Sequence, residues 1–352
     1  MSDRLIHSCK PGWLTILATM ALACTSEESM TDPSAEASAE LAATVAYSAV
    51  DLGTLGGPYS GALAINGSGQ VVGYSYTVDN QIHAFIWEKG VMADLGTLGA
   101  DFTRAFSINS AGQVVGGSTL ANGDNHAFLW DKGVMLDLGT LGGDFSEAHG
   151  INTAGQVVGQ SNRADGAIHA FLWTAGSMTD LGALGGSFSD AAGINSAGQV
   201  VGTYLPAGAD QDLEGEIAAY RAFLWYEGVM TDLGTLGGKR SHAYAINAAG
   251  QVVGSSTTAA GELHAFLWSE GRMIDLGTLD GSPSLAHGIS PAGAIVGSSN
   301  SRPVLWSKDV LRDLGTLSGA YGGASGVNSA GQIVGESETE SGEVHATLWT
   351  TR

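Results

Sequence analysis

From residue 46 to the end of the chain, apolar and polar residues alternate in short runs, and no segment carries the 3.6-residue period of an amphipathic helix. The runs repeat. His126-Ala127-Phe128-Leu129-Trp130 has counterparts ending at Trp87, Trp173, Trp225, Trp268, Trp306 and Trp349, so seven of the eight tryptophans close this unit. DLGTLGG and IN-x-x-GQVVG recur between the copies. The Asp of DLG stands at 51, 94, 137, 180, 232, 275 and 313, at intervals of 43, 43, 43, 52, 43 and 38 residues. The third repeat predicts four strands: residues 147–152, 156–161, 169–173 and 177–184. Asn152-Thr153-Ala154-Gly155 reads as a tight turn, with Asn and Gly in left-handed positions. QVVGQS is β-branched at its centre. In HAFLW the His, Phe and Trp share one face, and the Ala and Leu share the other.

Four-stranded units of about 43 residues, seven times over, predict a seven-bladed β-propeller. The rival is an open solenoid. The chain ends favour the propeller. The domain opens on a lone fourth strand, residues 46–55, and stops at a third strand ending in Trp349. Each end lacks what the other has, so the N-terminal strand is expected to complete the last blade and close the ring.

The first residues read differently. Arg4 and Lys10 precede an uncharged, mostly apolar run of twelve residues, 12–23. About 20 apolar residues are needed to span a bilayer, so the run reads as a signal peptide, residues 1–23. Ala21-Leu22-Ala23-Cys24 resembles a lipoprotein cleavage site, with Ala21 where Leu is preferred. Cleavage there removes Cys9 and leaves Cys24 as the only thiol, which lipidation would explain. Ordinary secretion stays open. Residues 24–44 read as a solvated acidic linker, and residues 45–352 as the propeller. The formal charge of −21 argues against nucleic acid and against a polybasic hold on lipid. Any membrane attachment would come from the lipid anchor alone.

HAFLW, DLGTLGG and IN-x-x-GQVVG together resemble the HAF-type extracellular repeat proteins of bacteria, over residues 46–352. The resemblance implies export, to a lipid anchor at the outer membrane or cell surface, or to the medium. It implies no activity.

Seven-fold features are expected to hold blades together. DLGTLGG reads as a blade-to-blade connection, because no helix N-terminus follows it to bind an anion. His83, His126, His169, His264 and His345 share a position that also accepts Arg221 and Arg302. That tolerance fits a structural hydrogen bond to an adjoining strand rather than a metal site. Features that break the symmetry are the functional candidates. His149 and His287 lie in first strands where other repeats have Phe106, Tyr244, Leu63, Ala192 and Ser325. First strands line a propeller's channel, so this variable position is either a ligand face or blade-specific packing. Arg221 and Arg302 join the candidates because their blades carry the irregular loops. From the Gly of QVVG to the His position the spacing is 10 residues, except 19 in the fourth repeat and 5 in the sixth.

The fourth-repeat insertion holds Asp210, Asp212, Glu214 and Glu216, with Gly215 between the last two. It resembles a calcium loop, although Ala218 and Arg221 fill its ninth and twelfth positions. A solvated acidic loop is the competing reading. Calcium is the only cofactor brought into view. No G-x-S-x-G, H-E-x-x-H or spaced Cys/His set is present, so no catalytic residues are assigned. The expectation is a surface or secreted binding or scaffold module that recognises a protein or glycan through one face. The alternative is a carbohydrate-active or other hydrolytic enzyme with its site at the channel mouth.

Overall fold

The computed structural model describes residues 46–209, 219–308 and 310–351. Cys24, the leader and linker, and the acidic run Asp210, Asp212, Glu214 and Glu216 lie outside the described residues.

The third repeat shows how the pattern becomes a sheet. Gly142–Ile151, Val157–Arg163, Ile168–Thr174 and Ser177–Asp180 lie side by side in that order, each antiparallel to the next. Neighbouring residues Val157 and Val158 are both fully buried, as are Ala170 and Phe171. Side chains alternate across a strand, so both faces of the sheet are covered.

The boundaries differ most from the sequence expectation at two places. The first strand starts earlier, at Gly142, and the fourth ends at Asp180 instead of running to residue 184. The cause of the early stop is a turn built by the DLG motif. Gly182 N donates to Asp180 Oδ1 at 2.7 Å, Leu181 N donates to Ala170 O, and Gly182 takes φ 76°. The IN-x-x-G turn also works differently from expectation. Gly155 is left-handed at φ 77°, but Asn152 acts through its side chain. Its Oδ1 accepts from Ala154 N and Gln156 N at 3.0 Å each, an Asx turn.

The fold is all-β, and the strands assort into four-stranded antiparallel groups. Four groups are separate sheets. Three others, between Gly56 and Asp180, are tied into one twelve-stranded assembly by single parallel bridges, Ile82 to Phe102 and Asn125 to Phe145. The two ends of the domain share a group. Tyr47–Asp51 pairs antiparallel with Val344–Thr351, from Tyr47 opposite Thr351 to Asp51 opposite Thr347.

The core lies between groups. Val115, Ala127 and Leu138 of the second repeat pack on Ala148, Val157 and Phe171 of the third. Val334, Ala346 and Leu348 from the end of the chain pack in the same way on Ala62, Val71 and Phe85.

Polar repeat residues add directional ties. Ala127 N donates to Ser146 Oγ of the next group at 2.8 Å, and Ser146 Oγ donates to Gly139 O. Asn66, Asn109, Asn152 and Asn195 each donate from Nδ2 to the carbonyl of the next asparagine at 3.1–3.2 Å. The same two bonds join the ends. Ala346 N donates to Ser60 Oγ at 2.8 Å, and Asn328 Nδ2 to Asn66 O at 3.1 Å. Ser290 has no side-chain amide to donate, so the ladder skips one rung there.

Candidate functional site

The five HAF histidines are structural, as their repetition suggests. Each bonds through Nδ1 to the Asp of an adjoining fourth strand: His83 to Asp94, His126 to Asp137, His169 to Asp180, His264 to Asp275 and His345 to Asp51, all at 2.7–2.8 Å. Arg221 and Arg302 replace the imidazole, reaching Asp232 at 3.1 Å and Asp313 at 2.9 Å through Nη2. They stand at the HAF position and do not line the cavity described next.

One cavity of about 330 Å³ is lined by residues 63–65, 106–108, 149–151, 192–194, 244–246, 287–289 and 325–327, three consecutive residues from every first strand. Phe106, His149, Tyr244 and His287 are therefore brought together as the sequence suggests. The repeats themselves show which positions build and which vary. Ala62, Ala105, Ala148, Ala191, Ala243, Ala286 and Ala324 occupy one position and are almost fully buried. The residue after that alanine is the variable position at the cavity. The residue before it also varies: Gly61, Arg104, Glu147, Asp190, His242, Leu285 and Gly323. Its cross-strand partner varies again, and includes Tyr74 opposite Gly61 and Glu336 opposite Gly323. Tyr74 needs its glycine, because a Cβ on Gly61 would come within 2.8 Å of the tyrosine ring.

These positions form a belt of charged and aromatic groups. His149 is held from both sides, by Asp190 Oδ1 on Nδ1 at 2.9 Å and by Glu147 Oε2 on Nε2 at 3.2 Å. Phe106 meets the imidazole edge-on at 5.2 Å. Burial alone would push the imidazole pKa down, but Asp190 and then Glu147 outweigh it and raise the pKa to about 10. His149 is a fixed imidazolium at neutral pH. His242, His287 and Tyr244 continue the belt, with Tyr244 5.7 Å from His287 and parallel to His242 at 6.3 Å. Burial lowers the pKa of both histidines, so they are neutral. Tyr220, at the end of the fourth-repeat insertion, reaches His242 at 5.7 Å. Beyond His287, Glu336 accepts from Tyr321 at 2.6 Å and from Tyr74 at 3.2 Å. Burial and then Glu336 raise the Tyr74 pKa to about 12, and the Glu336 bond raises that of Tyr321. Both hydroxyls stay protonated donors.

A second cavity of about 360 Å³ runs between the sixth and seventh repeats, over Pro283, Leu285, Asn300, Tyr321 and Glu336. It shares His287 and Ser325 with the first cavity, so the two are neighbours. The short sixth-repeat loop borders it. There Asn300 and Ser301 turn the chain in two left-handed residues, at φ 52° and 57°. Tyr220, just after the fourth-repeat insertion, and the sixth-repeat turn thus both border the belt. Arg104, Glu147, Asp190, His242, Tyr74 and Glu336 were missed. The signal that would have found them is variation at the residue before the repeated alanine and at its cross-strand partner. No group of three or more His, Cys, Asp or Glu residues placed to hold a metal occurs among the described residues.

The His149 arrangement predicts a pH dependence. An imidazole whose pKa is about 10 when folded and near 6.5 when unfolded binds more protons in the folded state. Its stabilisation is complete below about pH 6.5 and is lost as pH rises toward 10. His149→Gln is expected to flatten that alkaline decline in thermal melts between pH 6.5 and 10. An unchanged decline contradicts the assignment.

No protein-family model matches the chain, and no curated protein sequence matches it. Solved structures do resemble it. The β-propeller domain of the Trilobed protease from Pyrococcus furiosus aligns with TM-score 0.55 at 10% identity, over 84% of this chain and 96% of that one. It is described as having an open velcro topology, whereas here Tyr47–Asp51 pairs with Val344–Thr351. A puromycin-hydrolyzing peptidase of Mycobacterium tuberculosis aligns with TM-score 0.58 at 12% identity, over 82% of this chain and 50% of that one. The acylaminoacyl peptidase of Pyrococcus horikoshii aligns with TM-score 0.50 at 12% identity, over 84% and 52%. The chain spans about half the length of these two peptidases. The likeness shows the fold, a β-propeller, and carries nothing about activity.

Proposed function

We propose that residues 46–351 form a seven-bladed propeller closed by its own ends, and that it works as an exported binding module recognising a glycan or protein through the axial face. Closure is supported by the terminal strand pair and by the Ala346–Ser60 and Asn328–Asn66 bonds, which match those between consecutive repeats. Lipidation of Cys24 would hold the module at the cell surface.

The observation that carries the binding reading is the contrast within each repeat. Alanines and glycines at the sheet contacts repeat without change, while the residues beside them, at and next to one shared cavity, vary from copy to copy. Packing alone would not need a different charge or ring in each blade. Cavities of roughly 300–1,000 Å³ suit small ligands or the tips of larger ones. Glu147 and Asp190 are both committed to His149, and Glu336 to two tyrosines, so the belt reads as a fixed recognition surface rather than as free acid and base. Glycan and peptide arrays test this with the whole mature chain and with a Tyr244→Ala, His287→Ala variant. The expected result is retention by one class of ligand, lost in the variant at an unchanged melting temperature. Equal retention by the variant, or none by the wild type, overturns the reading.

A further inference from the structure

We infer that the ligand of the axial face is a saccharide carrying a carboxylate, read by Arg104, with its hydroxyls accepted by Glu336. This rests on the binding reading above and narrows it.

The chain has 35 acidic and 14 basic residues, so arginines have carboxylates in easy supply. Arg163, Arg221 and Arg302 each reach the Asp of a DLG motif. Arg104 reaches none among the described residues. Its guanidinium lies over the Tyr74 ring, 4.5 Å from the centroid, and 5.5 Å from that of Phe102. Its Nε is buried without a hydrogen-bond partner. Arg221 and Arg302 also leave Nε unsatisfied, but their Nη2 atoms are paired. Stacking on aromatic faces holds the guanidinium plane while leaving its edge donors uncommitted. A planar fork of that kind matches a carboxylate through two parallel hydrogen bonds.

The belt's own carboxylates do not fill this need. Glu147 and Asp190 grip His149 from its two nitrogens. Glu336 is held by the hydroxyls of Tyr74 and Tyr321. Arg104 is therefore the belt's one cation without a carboxylate partner among the described residues.

Glu336 is the second reader. Each of its oxygens accepts one tyrosine hydroxyl, which fixes the carboxylate and leaves further lone pairs to accept donors. It lies in the second cavity beside Pro283, Leu285 and the exposed Tyr321 ring. A pyranose offers both matching features, hydroxyls for the carboxylate and a C–H face for the apolar surface. Tyr74 links the two readers, with Arg104 on its ring and Glu336 at its hydroxyl. The sugar acid and its hydroxyls are thus met one tyrosine apart.

Titration calorimetry with the mature chain tests this, using oligosaccharides of a uronic acid and neutral ones of the matching hexose, two to four units long. The acidic series is expected to bind at least about tenfold more tightly. A hydrogen bond to a charged group contributes about 1.5–3 kcal/mol, so Arg104→Ala should cost about ten- to hundredfold. Arg104→Lys keeps the charge but loses the fork, and should recover only part of the preference. It decides the matter if the alanine variant melts early. Equal binding of the neutral series overturns the inference and leaves the binding module standing. So does an unchanged acid preference in both variants, or an array that yields a peptide and no saccharide. Absence of any ligand in both experiments sinks the binding reading as well.

Discussion

Deleting residues 46–55 leaves a protein that aggregates or fails to fold. This segment is far from the chain's other end in sequence, yet it supplies the outer strand of the last group. Its loss removes the five-residue pairing of Tyr47–Asp51 with Val344–Thr351, the Leu52 N to Ala346 O bond and the His345–Asp51 contact. Leu52 is only 7% exposed and sits in the core shared by the first and last repeats. Burying a leucine contributes about 1.5–3 kcal/mol. The remaining losses add to it, against a total stability of roughly 5–15 kcal/mol for a domain. The strand Val344–Thr351 would become an open edge with Leu348 and Trp349 losing cover, a template for association. Size-exclusion chromatography and a thermal melt check the outcome. A monodisperse truncated protein with the parent melting temperature contradicts the closure.

Gly159→Val is expected to be nearly as damaging. The glycine of QVVG does not need a left-handed backbone. It needs the absence of a side chain. Every first strand carries a bulge just after the repeated alanine, as between Ala148 and Gly150. The preceding carbonyl, that of Glu147, sits where a Cβ on Gly159 would stand. The same overlap occurs at Gly73, Gly116, Gly202, Gly254, Gly297 and Gly335, each against the carbonyl opposite it. Backbone cannot yield as a flexible side chain can. The expected loss is about 4 kcal/mol or more, in the range reserved for core overpacking. Urea denaturation at constant pH measures it. A loss under about 1 kcal/mol would mean that the bulge relaxes.

The periodicity of the chain made most of the fold legible. Four strands per repeat, the turn positions and the complementary ends all follow from the 43-residue spacing. Strand limits were less legible, because they depend on hydrogen bonds. The DLG aspartate ends the fourth strand by capping its own turn, which a reading of apolar alternation extends past. The site was legible only in part. Phe106, His149, Tyr244 and His287 stood out at one variable position. Arg104, Glu147 and Asp190 sit one residue before the repeated alanine and read as ordinary solvated charges. Their role emerges only when neighbouring repeats are set side by side in space, since Asp190 meets His149 from the next repeat along, 41 residues away. Arg221 and Arg302 broke the HAF pattern in sequence but not in structure, because an arginine reaches the same aspartate that the histidine does.

The central claim is that repeated residues build the ring and the varied belt takes the ligand. Hydrogen–deuterium exchange on the chain, free and bound to the ligand retained on the arrays, tests it most directly. Protection is expected in the peptides covering residues 104–107, 147–150, 242–245, 285–288 and 321–325, with the hairpins around residues 131–134 and 269–272 unchanged. Protection confined to those outer hairpins, with the belt peptides exchanging as in the free protein, would contradict it.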